Sequence, residues 1–324
     1  MNQHAGQIAV LDFAPADEEF CEQVIRGLSQ QPRTLPCKFF YDETGSALFS
    51  KICELPEYYI TRAEMRILRE CGGEIGNALG RGIELIGLGT GAGTKTQILL
   101  QHLDAPVAYV PVDISREQLT QSSIAFRKKF PGLKVLPVCA DYLQPFDLPR
   151  RNRKPTRTVV YFPGSTIGNL EPDDAADFLV KIAGIAGPGG RALIGVDLKK
   201  SKFVLERAYN DSAGVTAQFN LNLLARANRE LDANFDLRQW RHYAIYNPDE
   251  GRIEIYLISE IDQAVRMKDR QFHFHAGEKI ITEYSYKHTP EGFIGLASKV
   301  GFEFVRMWTD NGHWFGVFYF TAKL

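Results

Sequence analysis

The chain has 324 residues, of which 44% are hydrophobic and 24% charged, and its formal net charge is −1. This length exceeds the usual single domain, and the composition is that of a globular protein, so we expect two lobes. The balanced charge excludes a strongly basic surface for nucleic acid or an anionic membrane. We expect neither a signal peptide nor a membrane span. Five scattered cysteines without a C-x-x-C pair predict a reducing cytoplasmic location with no metal site and no disulfide framework.

The first regular pattern begins after residue 60 and alternates helices with strands. Thr61-Arg62-Ala63-Glu64 has the S/T-x-x-E pattern of a capping box and predicts a helix that ends near Cys71. Further along, strands are predicted at 82–88, 108–112, 135–139, 158–162 and 191–196, with helices at 95–103, 115–130 and 173–186. This alternation predicts an α/β fold with a doubly wound parallel sheet.

The pattern changes after residue 197. A long helical stretch over 203–229, interrupted near Gly214, precedes strands at 240–246, 252–259 and 271–275. A helix at 290–300 and strands at 302–308 and 314–322 then close the chain. We therefore predict a Rossmann-like domain of residues 61–199 and 288–324, with an α+β substrate-binding domain of residues 1–60 and 200–287 inserted into it.

A glycine-rich turn, Gly87-Leu88-Gly89-Thr90-Gly91-Ala92-Gly93-Thr94-Lys95, follows the first strand and opens a helix. Glycine lets a backbone pass close to a ligand, so Gly89, Gly91 and Lys95 are predicted to contact a nucleotide-like cofactor. The same turn nearly fits the dinucleotide pattern G-x-G-x-x-A, and it misses a P-loop because Thr94 stands where glycine is needed. A tight turn without a ligand is the structural alternative.

Residues after the next two strands favour S-adenosylmethionine (SAM) among these ligands. Asp113 ends the second strand, where a carboxylate binds a ribose diol, and Asp141-Tyr142 follows the third, where it meets an adenine amino group. The sequence at 187–190 (GPGG) leads into the fifth strand ahead of a closing hairpin, as is common in SAM enzymes. Taken singly, Asp113 fits a helix N-cap equally well and Asp141 fits a turn. Together these features predict a class I SAM-dependent methyltransferase domain.

Several segments resemble the histidine Nα-methyltransferases of ergothioneine biosynthesis. They are KFFYDETGS at 38–46, LPEYYITRAE at 55–64, YVPVDIS at 109–115, FPGSTIGNL at 162–170, AYNDSAG at 208–214, RIE at 252–254, TEYS at 282–285 and WTD at 308–310. The resemblance covers nearly the whole chain. It implies a small-molecule substrate, L-histidine, whose amino group receives three methyl groups from SAM to give the betaine hercynine.

The resemblance also implies roles for individual residues of this sequence. Asn169 and Tyr209 would hold the carboxylate and amino group of the amino acid, beside Gly164. Glu283 and Ser285 would hydrogen-bond the imidazole ring. An exposed glutamate on a strand is the structural alternative for Glu283.

Aromatic residues near the N-terminus are expected to surround the cationic product, because aromatic faces attract quaternary ammonium groups. Tyr41 and Tyr58 are predicted to line the substrate site, whereas we expect Phe49 to pack in the core. Tyr58, or a bound water, would favour proton loss from the amine, which makes Tyr58 the predicted catalytic residue. Ile255 stands where histidine-specific members tend to carry methionine, which leaves methylation of another aromatic amine as an alternative. A SAM-binding sensor without turnover is the alternative outside enzymes.

Overall fold

The computed structural model describes residues 8–13, 17–150 and 153–323. Two compact units divide these residues. Unit 1 comprises residues 8–13, 60–199 apart from 151–152, and 288–323, and unit 2 comprises residues 17–59 and 200–287. The chain therefore leaves unit 1 after Lys199 and returns to it at His288.

Helices and strands have the following bounds. The helices are α1 (Asp17–Ser29), α2 (Glu43–Ile52), α3 (Tyr59–Glu70), α4 (Gly72–Leu79), α5 (Thr94–Leu100), α6 (Arg116–Lys129), α7 (Pro172–Ala186), α8 (Lys202–Tyr209), α9 (Val215–Leu231) and α10 (Pro290–Lys299). The strands are β1 (Leu11–Phe13), β2 (Arg33–Thr34), β3 (Glu84–Leu88), β4 (Ala108–Asp113), β5 (Lys134–Val135), β6 (Val138–Ala140), β7 (Thr158–Phe162), β8 (Arg191–Asp197), β9 (Trp240–Asn247), β10 (Arg252–Ser259), β11 (Gln263–Met267), β12 (Arg270–Phe274), β13 (Lys279–Tyr286), β14 (Phe302–Thr309) and β15 (Phe315–Ala322).

Unit 1 is built on one sheet with the strand order β1-β6-β4-β3-β7-β8-β15-β14, and β5 also pairs with β4. The pairs from β1 to β8 are parallel, while β15 runs antiparallel to both β8 and β14. Every residue of β3, β4 and β7 is buried, as expected for central parallel strands covered on both faces. The parallel strands all end at one edge, which is where α/β sheets bind ligands. The predicted Rossmann-like α/β fold is confirmed.

The core of unit 1 joins this sheet to helices on its face. Phe178 and Ile182 of α7 and Phe293 of α10 are buried in the same cluster as the sheet residues Ile194 and Phe318. Each such side chain contributes on the order of 1.5–3 kcal/mol of transfer free energy when it is buried. This packing fixes the positions of the strands from which the loops at the carboxyl edge of the sheet extend.

Unit 2 contains a sheet with the strand order β2-β13-β10-β9 and a separate hairpin of β11 and β12. In the antiparallel pair of β10 and β13, Ile255 lies directly opposite Glu283, and the register shifts just after Ile255. Side chains alternate between the faces of a strand, so Glu283 and Ser285 share one face with Ile255. This register determines which side chains of unit 2 lie together.

Some sequence predictions were wrong in detail. The single strand predicted at 135–139 is divided into β5 and β6. Thr61 does not cap a helix, because α3 begins at Tyr59 and contains Thr61. Strand β1 pairs in parallel with β6, so residues 8–13 belong to unit 1 and not to the second domain as predicted. Such pairings join segments far apart in sequence, which leave no local signal. Along the described part of the chain, no helix has the length and apolar character needed to cross a membrane.

Candidate functional site

The glycine-rich turn after β3 forms an open cradle. Gly89, Gly91 and Gly93 have φ values of 60°, 52° and 74°, which side chains other than glycine adopt only with strain. A Cβ atom on Gly89 would lie 3.2 Å from the Tyr142 ring, whereas one on Gly91 would meet nothing closer than Gln118 at 3.8 Å. The turn therefore leaves space beside its backbone at Gly91, whereas a Cβ atom on Gly93 would lie 2.5 Å from the Phe126 ring. The space at Gly91 fits a cofactor that lies against the backbone.

The two predicted acids lie at the ends of neighbouring strands. Asp113, the last residue of β4, accepts hydrogen bonds from the backbone N–H of Gly91 at 2.8 Å and of Ser115 at 3.0 Å. Burial raises the pKa of the Asp113 carboxyl group. Asp141 follows β6 and accepts from the N–H of Leu143 at 2.9 Å, which closes a turn. Asp113 thus joins the glycine turn to the start of α6, and the ribose and adenine contacts of both acids stay predictions.

A buried carboxylate on α3 organises the same edge of unit 1. The side chain of Glu64 is fully buried and accepts from the ammonium of Lys95 at 2.7 Å. It also accepts from the backbone N–H of Gly164 at 2.8 Å and from the hydroxyl of Tyr161 at 3.0 Å. Glu64 therefore ties the first turn of α5 to the loop after β7. The backbone N–H of Gly164 thus already donates to Glu64. The contact of Gly164 with the substrate stays a prediction.

The loop after β7 is held in an unusual backbone conformation. Ser165 has a φ of 61°, and its hydroxyl accepts from the N–H of Asp197 at the end of β8 at 2.9 Å. Non-glycine residues with positive φ cost free energy and concentrate at functional sites. A short 3-10 turn then ends at the half-buried Asn169. The predicted role of Asn169 toward the amino acid is not decided by this geometry.

In unit 2, aromatic rings form a cluster. Tyr58 meets Tyr209 and Phe49 edge-on, with ring centroids 6.2 Å and 6.3 Å apart. Phe49 also lies 5.6 Å from Tyr41 and 5.9 Å from Phe219. Burial, reinforced by the nearby Tyr209, raises the pKa of Tyr58 well above its ordinary value. The Tyr58 phenol therefore stays protonated at neutral pH.

Polar groups of α8, of β13 and of the residue that follows β13 lie beside this cluster. The hydroxyls of Tyr209 and Ser285 are 2.9 Å apart, and the ammonium of the buried Lys287 donates to both, at 2.8 Å and 2.7 Å. Glu283 is partly accessible, yet burial raises its pKa to about 7 against the opposing effect of Lys287. Glu283, Tyr209 and Tyr41 all lie close enough to Tyr58 to raise the pKa of its phenol. Four predicted substrate residues are thus brought together with Ser285, and Ile255 lies across the sheet from Glu283.

A histidine supports Tyr209 from behind. The Nε2 atom of His242 lies 2.8 Å from the backbone carbonyl of Tyr209, and its Nδ1 lies 2.9 Å from the amide nitrogen of Asn220. A carbonyl needs a donor and an amide nitrogen is a donor, so the ring is neutral with its proton on Nε2. Burial lowers the pKa of His242, in agreement with this state.

Sequence reasoning missed Lys287, His242 and Phe219, and it misread Glu64 as a helix cap. Strand β13 was not predicted as a strand, which hid the shared face of Glu283, Ser285 and Lys287. The S-x-K alternation after Glu283 was the available signal, since period-2 spacing places all three on one face. Within the described ranges, no group of three or more His, Cys, Asp or Glu side chains could hold a metal ion.

The fold and the glycine turn define the class of protein. A parallel sheet that closes with an antiparallel hairpin, a glycine-rich turn after its first central strand and acids after the next strands together make this a Rossmann-like SAM-dependent methyltransferase. The family model described as "Histidine-specific methyltransferase, SAM-dependent" matches residues 20–322. The chain belongs to this family.

Relatives of known function share most of its length. It is 41% identical over 300 residues to a histidine N-alpha-methyltransferase of Mycobacterium tuberculosis, covering 91% of this chain and 92% of that one. It is also 41% identical over 319 residues to the protein of the same name from Mycolicibacterium smegmatis, covering 96% and 98%. The ergothioneine biosynthesis protein 1 of Neurospora crassa is 32% identical over 290 residues, covering 86% of this chain and 32% of that protein.

Proposed function

We propose that this enzyme transfers methyl groups from SAM to the α-amino nitrogen of L-histidine, in three rounds that yield hercynine. Two relatives named histidine N-alpha-methyltransferase support this at 41% identity over nearly the whole chain. The observation that carries the proposal is Glu283, a partly accessible carboxyl group desolvated enough to have a pKa of about 7. Such a group gains most from a ligand that donates a hydrogen bond to it.

An imidazole ring can form hydrogen bonds with both Glu283 and Ser285 in unit 2. Its N–H would donate to the carboxylate of Glu283 and offset the cost of burying that charge. Its second nitrogen is an acceptor, which suits a hydroxyl such as that of Ser285. The side chains of phenylalanine and leucine have neither group, so the site favours histidine over them.

Methyl transfer needs a neutral amine placed against the methyl carbon, with water excluded. When bound, SAM supplies the electrophilic methyl group; Gly89, Gly91, Lys95, Asp113, Asp141 and Tyr142 are the residues proposed to hold it. Because its pKa is raised well above the ordinary value, Tyr58 acts as a neutral phenol. The amine loses its proton to solvent before it enters the site, and the phenol oxygen then accepts a hydrogen bond from the neutral amine and orients it.

The aromatic cluster suits a product whose charge grows harder to hydrate with each methyl group. Phe49, which we expected to pack in the core, is half-buried and meets the rings of Tyr41 and Tyr58 edge-on, at centroid distances of 5.6 Å and 6.3 Å. Aromatic faces stabilise quaternary ammonium groups by about 0.5–2 kcal/mol each. The cluster therefore supports continued methylation to the trimethylated product.

A second candidate, methylation of a larger aromatic amino acid, is favoured by Ile255. This residue is buried and stands opposite Glu283 across β10 and β13. A β-branched side chain there leaves a differently shaped wall from the methionine typical of the family. Retention of Glu283 argues for histidine as the preferred substrate.

Product masses test both candidates. Purified protein would be incubated with SAM and with histidine, tryptophan, phenylalanine or tyrosine, and each product followed by mass spectrometry. We expect histidine heavier by three methyl groups as the end product. Selective methylation of tryptophan would support the second candidate, and absence of product with every amino acid despite SAM binding would contradict both.

A Glu283→Gln variant tests the role of the carboxylate. The amide keeps the shape but offers a weaker acceptor, so we expect the KM for histidine to rise roughly tenfold or more, the effect of a hydrogen bond to a charged group. Affinity for S-adenosylhomocysteine should stay within about twofold. The matched control is Glu260→Gln, at an exposed position of unit 2. Equal losses of histidine and cofactor affinity would contradict the role.

A further inference from the structure

Asp42 joins the segment that carries Tyr41 to helix α9 of unit 2. It is the N-cap of α2, and its Oδ1 accepts from the backbone N–H of Gly45 at 2.7 Å. The same oxygen accepts from the side-chain amide of Asn222 at 2.8 Å, and Oδ2 accepts from the guanidinium of Arg229 at 2.5 Å. The Asp42 side chain is only 11% exposed. Both of its carboxylate oxygens are therefore engaged within the protein.

A second contact holds the chain on the other side of Tyr41. Arg226 of α9 donates to the backbone carbonyl of Phe39 at 3.0 Å, and its guanidinium carbon lies 5.8 Å from the centre of the Phe39 ring. Asn222, Arg226 and Arg229 are spaced four and three residues apart on α9, so they lie on one face of the helix. The residues that flank Tyr41 are therefore bound to the same face of the same helix.

The same face of α9 extends into the aromatic cluster. Phe219 lies three residues before Asn222, and its ring centroid is 5.8 Å from that of Tyr41 and 5.9 Å from that of Phe49. Apolar contacts between rings are non-directional, so they restrain the orientation of a ring only weakly. Hydrogen bonds to a carboxylate are shorter, stronger and directional. The contacts of Asp42 therefore fix the backbone from which the Tyr41 ring extends toward the cluster.

We propose that Asp42, through its contact with Arg229, is a positioning residue that holds Tyr41 at the substrate site and so supports the last methyl transfer more than the first. This inference deepens the proposed function and rests on it. The ammonium formed by the first transfer keeps two N–H groups that can donate hydrogen bonds, whereas the one formed by the third has none. Stabilisation of the last product therefore depends on aromatic faces, which must stand close to the cation.

The substitution Asp42→Asn tests this role, because it removes one contact and keeps the others. Asparagine is as good an N-cap as aspartate, so its oxygen can still accept from Gly45 and from Asn222. Its amide nitrogen would face the guanidinium of Arg229, and two donors cannot form a hydrogen bond with each other. The start of α2 is therefore preserved while the link to Arg229 is lost.

Two rates, measured with the full-length enzyme and saturating SAM, distinguish positioning from a general loss of structure. The kcat/KM with histidine reports on the first transfer, and the kcat/KM with Nα,Nα-dimethylhistidine reports on the third. In Asp42→Asn we expect kcat/KM for dimethylhistidine to fall roughly tenfold, the size of one desolvated contact between a cation and an aromatic face. The kcat/KM for histidine should fall by a clearly smaller factor, and affinity for S-adenosylhomocysteine should change less than about twofold. With histidine as substrate, the variant should therefore accumulate the dimethylated intermediate.

Asp236→Asn is the matched control. Asp236 is likewise an N-cap of unit 2, where its carboxylate accepts from the backbone N–H of Arg238 and pairs with the guanidinium of the same residue at 2.9 Å. Both of these side chains are exposed, so this variant should keep both wild-type values of kcat/KM. Equal losses with the two substrates in Asp42→Asn would indicate a structural role alone and would overturn the proposal. Unchanged rates with both substrates would overturn it as well.

Arg229→Met breaks the same contact from the other side and covers the case in which Asp42→Asn folds poorly. The side chain of Arg229 is 50% exposed, and methionine retains much of its length without its donors. The loss of kcat/KM for dimethylhistidine should match that of Asp42→Asn, and the double variant should lose less than the sum of the two; full additivity would overturn the proposal. Failure of the wild-type enzyme to methylate histidine would instead refute the proposed function, so the two outcomes are distinguishable.

Discussion

Removal of Glu64 should unfold unit 1 more easily and weaken cofactor binding at the same time. Its carboxylate accepts from Lys95, Gly164 and Tyr161 at 2.7, 2.8 and 3.0 Å and is fully buried. Glu64→Ala leaves an ammonium whose side chain is only 19% exposed without its acceptor. Breaking a buried ion pair on one side costs about 3–5 kcal/mol. We expect a loss of this size in the free energy of unfolding.

Urea unfolding and binding of S-adenosylhomocysteine measure the two effects. The control is Glu303→Ala, which removes a carboxylate that pairs with Lys323 at 3.6 Å while both side chains are more than half exposed. Exposed pairs contribute about 0–1 kcal/mol, so this variant should behave as the wild type. Glu64→Ala should also weaken affinity for S-adenosylhomocysteine roughly tenfold, because Lys95 and Gly164 lose their common anchor.

The double variant Glu64→Gln with Lys95→Met separates a charge effect from a packing effect. Removing both partners leaves no uncompensated buried charge, so its loss of stability should be clearly smaller than the summed losses of the single variants. A Glu64→Ala variant that loses less than about 1 kcal/mol would refute the reasoning. Additive losses in the double variant would refute it as well.

Three further predictions concern pH and backbone geometry. Because the folded pKa of Glu283 is about 7 against 4.5, its contribution to stability is fully present below pH 4.5 and is lost as pH rises through 7. Over that interval the ligand-free protein should lose up to about 3 kcal/mol of its free energy of unfolding. Glu283→Gln should flatten the pH dependence of that free energy, measured by urea unfolding between pH 5 and 8, and an unaltered pH dependence would contradict the prediction. His242 has a lowered pKa, so its contribution to the free energy of unfolding is complete above pH 6.5 and is lost on acidification. His242→Gln should remove this loss of stability in acid and raise the KM for histidine. If the variant and the wild type lose stability equally below pH 6.5, the ring is already charged in the folded protein. Gly89→Ala should lower the free energy of unfolding by about 1–2 kcal/mol, because the φ of Gly89 is 60°. Its methyl group would press on Tyr142, so calorimetry should show a larger loss of affinity for S-adenosylhomocysteine than in Gly91→Ala. Equal effects would place Tyr142 outside the cofactor site.

The sequence by itself determined the α/β class and most of the strands. Alternating apolar runs and the glycine turn predicted β3, β4, β7 and β8, because local hydrophobic periodicity and glycine conformation are encoded within a few neighbouring residues. The break between α8 and α9 at Gly214 was predicted for the same reason, and this glycine has a φ of 68°. The family resemblance indicated Tyr58, Tyr209, Glu283 and Ser285 together, and the structure brings these residues near one another.

Only the tertiary structure decided what the buried polar residues do. The S/T-x-x-E pattern suggested a capping role for Glu64, yet its partners Lys95, Tyr161 and Gly164 come from segments 31 to 100 residues away. The sequence analysis made no prediction for Lys287, and only the fold buries it and brings its ammonium to the hydroxyls of Tyr209 and Ser285. The charge state of a carboxyl or ammonium group depends on desolvation and on neighbours brought in by folding. Local sequence carries neither quantity, so these roles follow from the fold alone.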